Sequence, residues 1–189
     1  MSMAGLIHPD SEAQTEYRGL DAIFEYCNQD GTLVRTNCGQ CAAATFLTHY
    51  GKLARDLDHA GDIIADIEKH FPPDNVAGFF GTSRRRVVLI CHAHGLKTDA
   101  IEGEESLKKS LANNCPVIVM LGVSAGKFWG FDLPGGHWMV AYGFDNDYLY
   151  LTNHGRMTWG DFRAGWDAVV PRLISMRRKG LVLRAEKDA

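Results

Sequence analysis

Residues 37–51 read NCGQCAAATFLTHYG, and this stretch decides how the chain folds around its chemistry. The run of alanines favours a helix, and Gly51 is suited to stop it. The helix would begin near Cys38, where unpaired backbone N–H groups and the helix dipole favour thiolate over thiol. A free cysteine has a pKa near about 8.5, so a nucleophile working at neutral pH needs such a shift. The stretch therefore predicts a reactive thiol at a helix N-terminus.

The composition of the chain is that of a folded globular protein. Of its 189 residues, 46% are hydrophobic and 23% are charged, which suits one domain spanning residues 1–189 and argues against disorder. Only residues 1–10 are expected to form a flexible arm. The net charge is −3, and the basic runs at residues 84–86 and 177–179 are short. A nucleic-acid partner is therefore not predicted.

Nothing in the sequence indicates an export signal or a membrane span. Residues 1–14 contain no apolar run flanked by basic residues, and the longest apolar run, residues 117–123, is too short to cross a bilayer. The protein is therefore predicted to be cytoplasmic, with signal-independent secretion left open, no membrane partner and no indication of oligomeric state. Five cysteines is an odd number, which in a chain of this length favours reduced thiols over a disulfide scaffold.

Hydrophobic periodicity predicts mostly helices in the first part of the chain and mostly strands in the second. The expected helices cover residues 11–28, 38–50, 58–70, 82–94, 104–113 and 158–170. The expected strands cover residues 96–101, 116–123, 137–144, 148–152 and 180–184, with a loop at residues 124–136. This order predicts an α+β fold.

Two polar residues stand where an activated thiol would need them. His137 begins a predicted strand, and Asn153 ends the strand predicted to pair with it. The first residue of one strand and the last residue of its antiparallel neighbour can be close in space. His137 would take the thiol proton and later donate it to the leaving amine, while Asn153 orients the imidazole ring. A cysteine of the 37–51 stretch, His137 and Asn153 are therefore the predicted catalytic triad.

This order of helix-borne cysteine, strand-borne histidine and asparagine resembles that of papain-like cysteine peptidases. The closer resemblance is to the double-glycine leader peptidases, the bacteriocin-processing branch of that fold, and to their stand-alone relatives. Four stretches within about residues 30 to 170 carry it by their order and spacing. They are residues 37–51, 94–108, 115–119 and 136–166. The resemblance implies an N-terminal helical half, carrying the cysteine helix, packed on a C-terminal antiparallel sheet half. It also implies hydrolysis of a peptide or protein substrate with no metal and no cofactor.

The resemblance also assigns the site residues. The nucleophile of the double-glycine branch precedes a glycine, which favours Cys38; papain has its nucleophile at the second cysteine of a Cys-Gly-x-Cys run, so Cys41 is the alternative. The double-glycine branch usually has aspartate where this chain has Asn153, but asparagine is the papain choice. The glutamine of its oxyanion hole has no counterpart at residues 32–33. Gln29, or the Asn37 side chain with the Cys38 backbone N–H, would take that place.

Other interpretations of the same residues stay open. The Cys38–Cys41 pair is also a C-x-x-C motif of the thioredoxin type, although that fold requires a βαβ unit and the expected preceding element is a helix. A zinc site would need a second ligand pair, and only Cys91, His92 and His94 offer one, with the two histidines on different sides of a helix. The sequence thus predicts a thiol hydrolase with Cys38, His137 and Asn153. The alternatives are acyl transfer to an amine by the same triad, a redox module, or a non-catalytic binding module.

Overall fold

Helices pack on both faces of one antiparallel sheet in the computed structural model of this chain. The structure describes residues 4–9, 16–26, 37–74, 81–128, 131–168 and 178–183, and for residues 123–128 and 131–134 it describes the backbone only. The helices are α1 (Cys38–His49), α2 (Ala60–His70), α3 (Arg84–Ala93), α4 (Glu104–Ala112) and α5 (Trp159–Asp167). The strands are β1 (Ala4–Ile7), β2 (Arg18–Gly19), β3 (Ile23–Tyr26), β4 (Thr98–Glu102), β5 (Val117–Phe128), β6 (Phe131–Phe144), β7 (Tyr148–Leu151), β8 (Gly155–Thr158) and β9 (Lys179–Leu183).

The main sheet has the strand order β4-β9-β5-β6-β7-β8, and each neighbouring pair is antiparallel. Strand β2 pairs with β6 beside this series, while β1 and β3 form a separate two-stranded sheet. Side chains along β6 alternate between two buried clusters. Trp138 and Val140 pack with helices α1, α2 and α3, and we call this side the α1 layer. Met139 and Ala141 pack with helices α4 and α5, and we call that side the α5 layer.

The helices after residue 37 confirm the prediction from periodicity and caps. Helix α1 is followed by Gly51 in a left-handed conformation (φ 66°), which glycine adopts without a steric cost. Every α1 residue from Cys38 to Thr48 is buried, so α1 is a central helix rather than a surface one. Ser83 caps α3 and Thr158 caps α5, each accepting a backbone N–H with its side-chain oxygen.

The N-terminal prediction is wrong. Residues 4–7, expected to be a flexible arm, form β1, and the expected helix at residues 11–28 is replaced in its described part by β2 and β3. The cause is long-range pairing, because β2 pairs with β6, and Gly19 lies so close to Gly143 that a side chain on Gly19 would clash with it. Tyr17 covers Gly143 and donates its hydroxyl to the Leu20 carbonyl oxygen at 2.6 Å. Tertiary contacts therefore override the helical periodicity here.

The strand boundaries in the second half are also different from those predicted. Residues 124–136, expected to be a loop, belong in their described part to long extensions of β5 and β6, which continue to pair down to Phe128 and Phe131. The short strand β8, which was not predicted, pairs with β7. The helical layer on an antiparallel sheet confirms the predicted α+β architecture. In the ranges given above, no helix combines the length and apolar character needed to cross a membrane. The expected single domain over residues 1–189 stays a prediction.

Candidate active site

The Cys38 thiol lies at the first helical position of α1 and is buried, with 4% of the residue exposed. The backbone N–H groups of Trp138 on β6, of Gly39 and of Cys38 itself lie close enough to the sulfur to favour its charged form. Burial raises the pKa of the Cys38 thiol above its ordinary value, although the three N–H groups act in the opposite direction. Burial therefore opposes the shift towards thiolate that the helix N-terminus was expected to favour.

The contact with Trp138 defines the edge of the sheet at which the thiol lies. In an antiparallel strand, residues two apart direct their N–H groups to the same side. The Val140 N–H is given to the Thr152 hydroxyl at 2.9 Å, so it points towards β7 and the turn that follows it. The Trp138 N–H therefore points to the same edge, beyond the last residue of β7. Strand β7 ends before it reaches Trp138, and Cys38 lies where the next residues of that strand would have paired with β6.

His137 precedes Trp138 on β6 and pairs with Leu121 of β5. It lies inside the strand rather than at its beginning, because β6 is longer than expected. Burial lowers the pKa of the His137 ring, and the positive charge of His154 lowers it further. Burial thus favours the neutral form of both the His137 imidazole and the Cys38 thiol. The distance from the Cys38 sulfur to the His137 ring stays a prediction.

Asn153 lies in the turn after β7, at the same edge. Thr152 donates its N–H to the Val140 carbonyl at 3.0 Å, so the turn is attached to β6 three residues from His137. Asn153 itself has a left-handed backbone (φ 61°), which asparagine tolerates better than most residues. Its side-chain nitrogen is buried and has no hydrogen-bond partner among the described residues. The next residue, His154, is exposed and lies near enough to His137 to affect its charge.

Nearby carboxylates that might replace Asn153 have other partners. The Asp145 side chain accepts the backbone N–H groups of Asp147 and Tyr148 and the Tyr150 hydroxyl, at 2.7–2.8 Å. It is thus the acceptor of its own hairpin turn. Asp161 accepts the Thr158 hydroxyl at 2.7 Å at the start of α5. These contacts favour Asn153 as the third member of the predicted triad.

A buried polar bridge connects the cysteine helix to the histidine strand. Thr82 donates its hydroxyl to the Gln40 side-chain oxygen at 2.7 Å, and its carbonyl accepts the Trp138 ring N–H at 2.6 Å. Gln40 also donates to the Phe71 carbonyl at 2.9 Å. The Thr82 side chain lies directly over Gly39, where any Cβ would clash. Trp138 is a core residue with no exposed surface.

The remaining predicted site residues are placed less favourably or lie outside the described residues. Cys41 is fully buried in the α1 layer, and the Trp138 N–H is directed at Cys38 instead. Gln29 lies outside the described residues. Asn37 is buried beside Cys38, and its side-chain oxygen has no partner in the part of the chain that the structure describes. An oxyanion donor would need the amide nitrogen in that place, which a half-turn of the amide provides.

Three contributors to this edge were missed from sequence: the Thr82 bridge, His154 and Glu25. Glu25, on β3, is buried and accepts the backbone N–H of Asn153. A carboxylate between apolar neighbours in β3 was the available signal, and the helical interpretation of residues 11–28 concealed it. As for metals, the described ranges hold no group of three or more histidine, cysteine and acidic side chains suited to bind one.

Comparison with known proteins reveals similarity in fold. No protein-family model matches the chain, and no curated protein matches it in sequence. A solved structure described as a C39-like peptidase from Bacillus anthracis has a TM-score of 0.55 at 12% identity, covering 81% of this chain and 90% of that one. The peptidase domain of Streptococcus ComA, a bifunctional ABC transporter involved in quorum sensing, has a TM-score of 0.51 at 18% identity, covering 80% and 93%.

A third solved structure is a double-glycine-motif protease domain from an AMS/PCAT transporter in complex with its leader peptide. Its TM-score is 0.43 at 16% identity, covering 94% of this chain and 97% of that one. The two higher scores confirm the predicted resemblance at the level of the fold, which this chain shares with the C39-like peptidase and the ComA peptidase domain.

Proposed function

We propose that the protein is a papain-like thiol hydrolase that cleaves a peptide or amide bond through attack by Cys38. The observation that carries the proposal is the Trp138 N–H directed at the Cys38 sulfur, because it brings the thiol beside the residue that follows His137. The fold shared with peptidase domains supports the same chemical class. The substrate is a peptide or a protein. A cytoplasmic location stays a prediction.

In the proposed reaction, His137 is the general base and Asn153 orients its ring. Burial disfavours both charged forms, so the resting pair is a neutral thiol and a neutral imidazole. As the Cys38 sulfur bonds to the substrate carbonyl carbon, its proton moves to the imidazole ring. The protonated ring then gives that proton to the leaving amine as the C–N bond breaks. Water, deprotonated by the ring, hydrolyses the resulting thioester and regenerates the thiol.

The proposed oxyanion site is the start of α1. The negative oxygen that forms during attack would accept the Cys38 backbone N–H, which lies at a helix N-terminus. Asn37, buried next to the thiol, would supply a second donor from its amide nitrogen, and Gln29 is the other candidate from the sequence. Loss of one such donor typically reduces turnover by about 10²–10³-fold, which makes this part measurable.

The test is to incubate the protein with a peptide library and to identify new termini by mass spectrometry. We expect cleavage with the wild type and none with Cys38→Ala. The matched control is Cys41→Ala, in the same helix, which we expect to cleave at the same sites. Cleavage lost in Cys41→Ala but kept in Cys38→Ala would reverse the assignment. A Cys38–Cys41 disulfide that cycles with thioredoxin-type reductants, with no cleavage, would favour the redox alternative.

Transfer of the acyl group to an amine is the second candidate. The observation that favours it is the 4% exposure of Cys38, which limits the access of bulk water to a thioester at that sulfur. Adding a primary amine to the library reaction would distinguish the two outcomes. Products carrying the amine at their new C-terminus indicate transfer, and free carboxylates alone indicate hydrolysis.

A further inference from the structure

Glu25 is a buried carboxylate that the proposed reaction does not use. Only 6% of the residue is exposed, and it accepts the backbone N–H of Asn153 across 128 residues of sequence. Among the described residues, no lysine, arginine or histidine forms an ion pair with it. A buried carboxylate with so little compensation is costly to keep. Such a group in contact with a predicted site residue is a candidate for a functional role.

The strand that carries Glu25 is fixed to the cysteine helix. The next residue, Tyr26, donates its backbone N–H to the Thr45 hydroxyl of α1 at 2.9 Å. The Tyr26 hydroxyl donates to the Ala54 carbonyl beyond the end of α1 at 2.7 Å. The Glu25 side chain therefore extends from a strand whose position follows that of α1 and its thiol.

The turn that carries Asn153 is attached on two sides. Thr152 exchanges two hydrogen bonds with Val140 of β6, at 2.9 and 3.0 Å. Glu25 holds the Asn153 N–H from the opposite side, from β3. Between these attachments, Asn153 keeps a left-handed backbone, a conformation that persists where the surroundings enforce it. The orientation of the Asn153 side chain thus depends on both contacts.

We propose that Glu25 is a positioning residue, whose acceptor oxygen fixes the Asn153 turn of the histidine hairpin relative to the cysteine helix. This inference rests on the proposed role of Asn153 in orienting the His137 ring. The contact needs an acceptor of the right length and does not need a negative charge. Burial raises the pKa of Glu25 and the Asn153 N–H lowers it, but an oxygen of either protonation state can accept the N–H.

Two variants separate length from charge. Glu25→Gln keeps the length and an acceptor oxygen but removes the charge. Glu25→Asp keeps the charge but is one methylene shorter, so it loses reach to the Asn153 N–H. We expect Glu25→Asp to reduce turnover of a library-derived substrate by about 10- to 100-fold, the effect of a displacement near 1 Å. Glu25→Gln should stay within about twofold of the wild type.

A second readout needs no substrate. Nitrogen-15 NMR of the His137 ring reports which ring nitrogen carries the proton. We expect one dominant tautomer in the wild type and in Glu25→Gln, and a mixture in Glu25→Asp and in Asn153→Ala. In the double variant Glu25→Asp/Asn153→Ala, the first substitution should add no further change in the ring shifts, because its effect passes through the Asn153 side chain.

These outcomes decide the inference separately from the proposed hydrolysis. Loss of turnover in Glu25→Gln with turnover kept in Glu25→Asp would assign the effect to charge and overturn the positioning role. Unchanged His137 shifts in Glu25→Asp, with only a lower melting temperature, would reduce Glu25 to a structural residue. If no substrate is found, hydrolysis fails as a proposal while the ring shifts still test the contact. Both variants retain a polar group of similar size, so a folded protein is available for the comparison.

Discussion

The two layers on either side of β6 are both buried but are held together in different ways. The α5 layer is joined by aromatic packing: the rings of Phe162 and Trp166 lie 4.8 Å apart, and those of Trp159 and Phe162 lie 6.0 Å apart. The α1 layer adds a chain of buried hydrogen bonds through Thr82 and Gln40. Aromatic packing tolerates small shifts, whereas hydrogen bonds fix distance and direction. We infer that the α5 layer mainly supplies stability and the α1 layer supplies geometry.

The largest effect is expected at the sheet edge itself. His137→Ala should reduce turnover by about 10²–10⁴-fold, the range for loss of a general base, with little change in the free energy of unfolding.

The matched control is His154→Ala. Because the charge of His154 lowers the pKa of His137, its removal should raise that pKa. His137 would then become neutral only at higher pH, so the acidic limb of the kcat/KM profile should shift to higher pH. A shift of that limb to lower pH would contradict the assignment of His137 as the base.

In the α5 layer, Phe162→Ala should destabilise the fold without changing the chemistry. Phe162 is fully buried between two tryptophans, so the substitution leaves a cavity and should cost about 3–5 kcal/mol of unfolding free energy. Urea denaturation provides the measurement. The Phe162→Ala protein that remains folded should show the same pH profile of turnover as the wild type. A changed profile would show that the α5 layer also determines geometry at the edge.

In the α1 layer, Thr82→Val should cost about 1–3 kcal/mol, because it leaves the Gln40 oxygen buried without its donor. Turnover should fall as well, since the bridge between α1 and β6 is weakened. Thr98→Val is the matched control. Thr98 is also buried, but its hydroxyl has no partner among the described residues, so valine there should be neutral or slightly stabilising. Equal losses of unfolding free energy and of turnover in Thr82→Val and Thr98→Val would show that the Thr82–Gln40 bridge has no special role.

The smallest effect concerns the charged margin of the α5 layer. Hydrogen bonds from Arg163 and Lys108 lower the pKa of Glu104 to about 2 from its ordinary value of 4.5. A lowered folded-state pKa contributes stability above the unfolded pKa, and that stability is lost as the pH falls from about 4.5 to about 2. Glu104→Gln should therefore cost less than about 1 kcal/mol at pH 7 and nothing at pH 2. Thermal unfolding across that pH range is the measurement, and a cost that persists at pH 2 would contradict it.

The cysteine helix and the later helices could be predicted from sequence because local signals decide them. The alanine run, the stop at Gly51 and the caps at Ser83 and Thr158 act within a few residues. Residues 17–26 could not be predicted in this way. Their apolar spacing fits a helix, but pairing with β6 and close packing of Gly19 on Gly143 select strands. Local propensity is a weak guide where the partner lies over 100 residues away.

In the candidate site, too, local sequence predicts some features, and long-range contacts determine the others. The position of Cys38 at a helix start follows from the sequence around it. The burial of Cys38 does not follow from the local sequence, and this burial raises the pKa of its thiol, whereas the sequence predicted a lower one. The Glu25 contact was hidden by the helical interpretation of its segment. What the sequence could not provide was the desolvation and the contacts that arise only when distant segments meet.

The pairing of β2 with β6, together with the contact between Glu25 and Asn153, has a consequence for biosynthesis. Segments near the start of the chain find their partners only after residues 143–153 have been synthesised. Contacts at such separation are slow to form, because a long loop must close first. During translation, the cysteine helix therefore emerges well before the later strands that bury it. The Cys38 thiol therefore reaches its environment in the folded chain only after these later segments have been synthesised and packed.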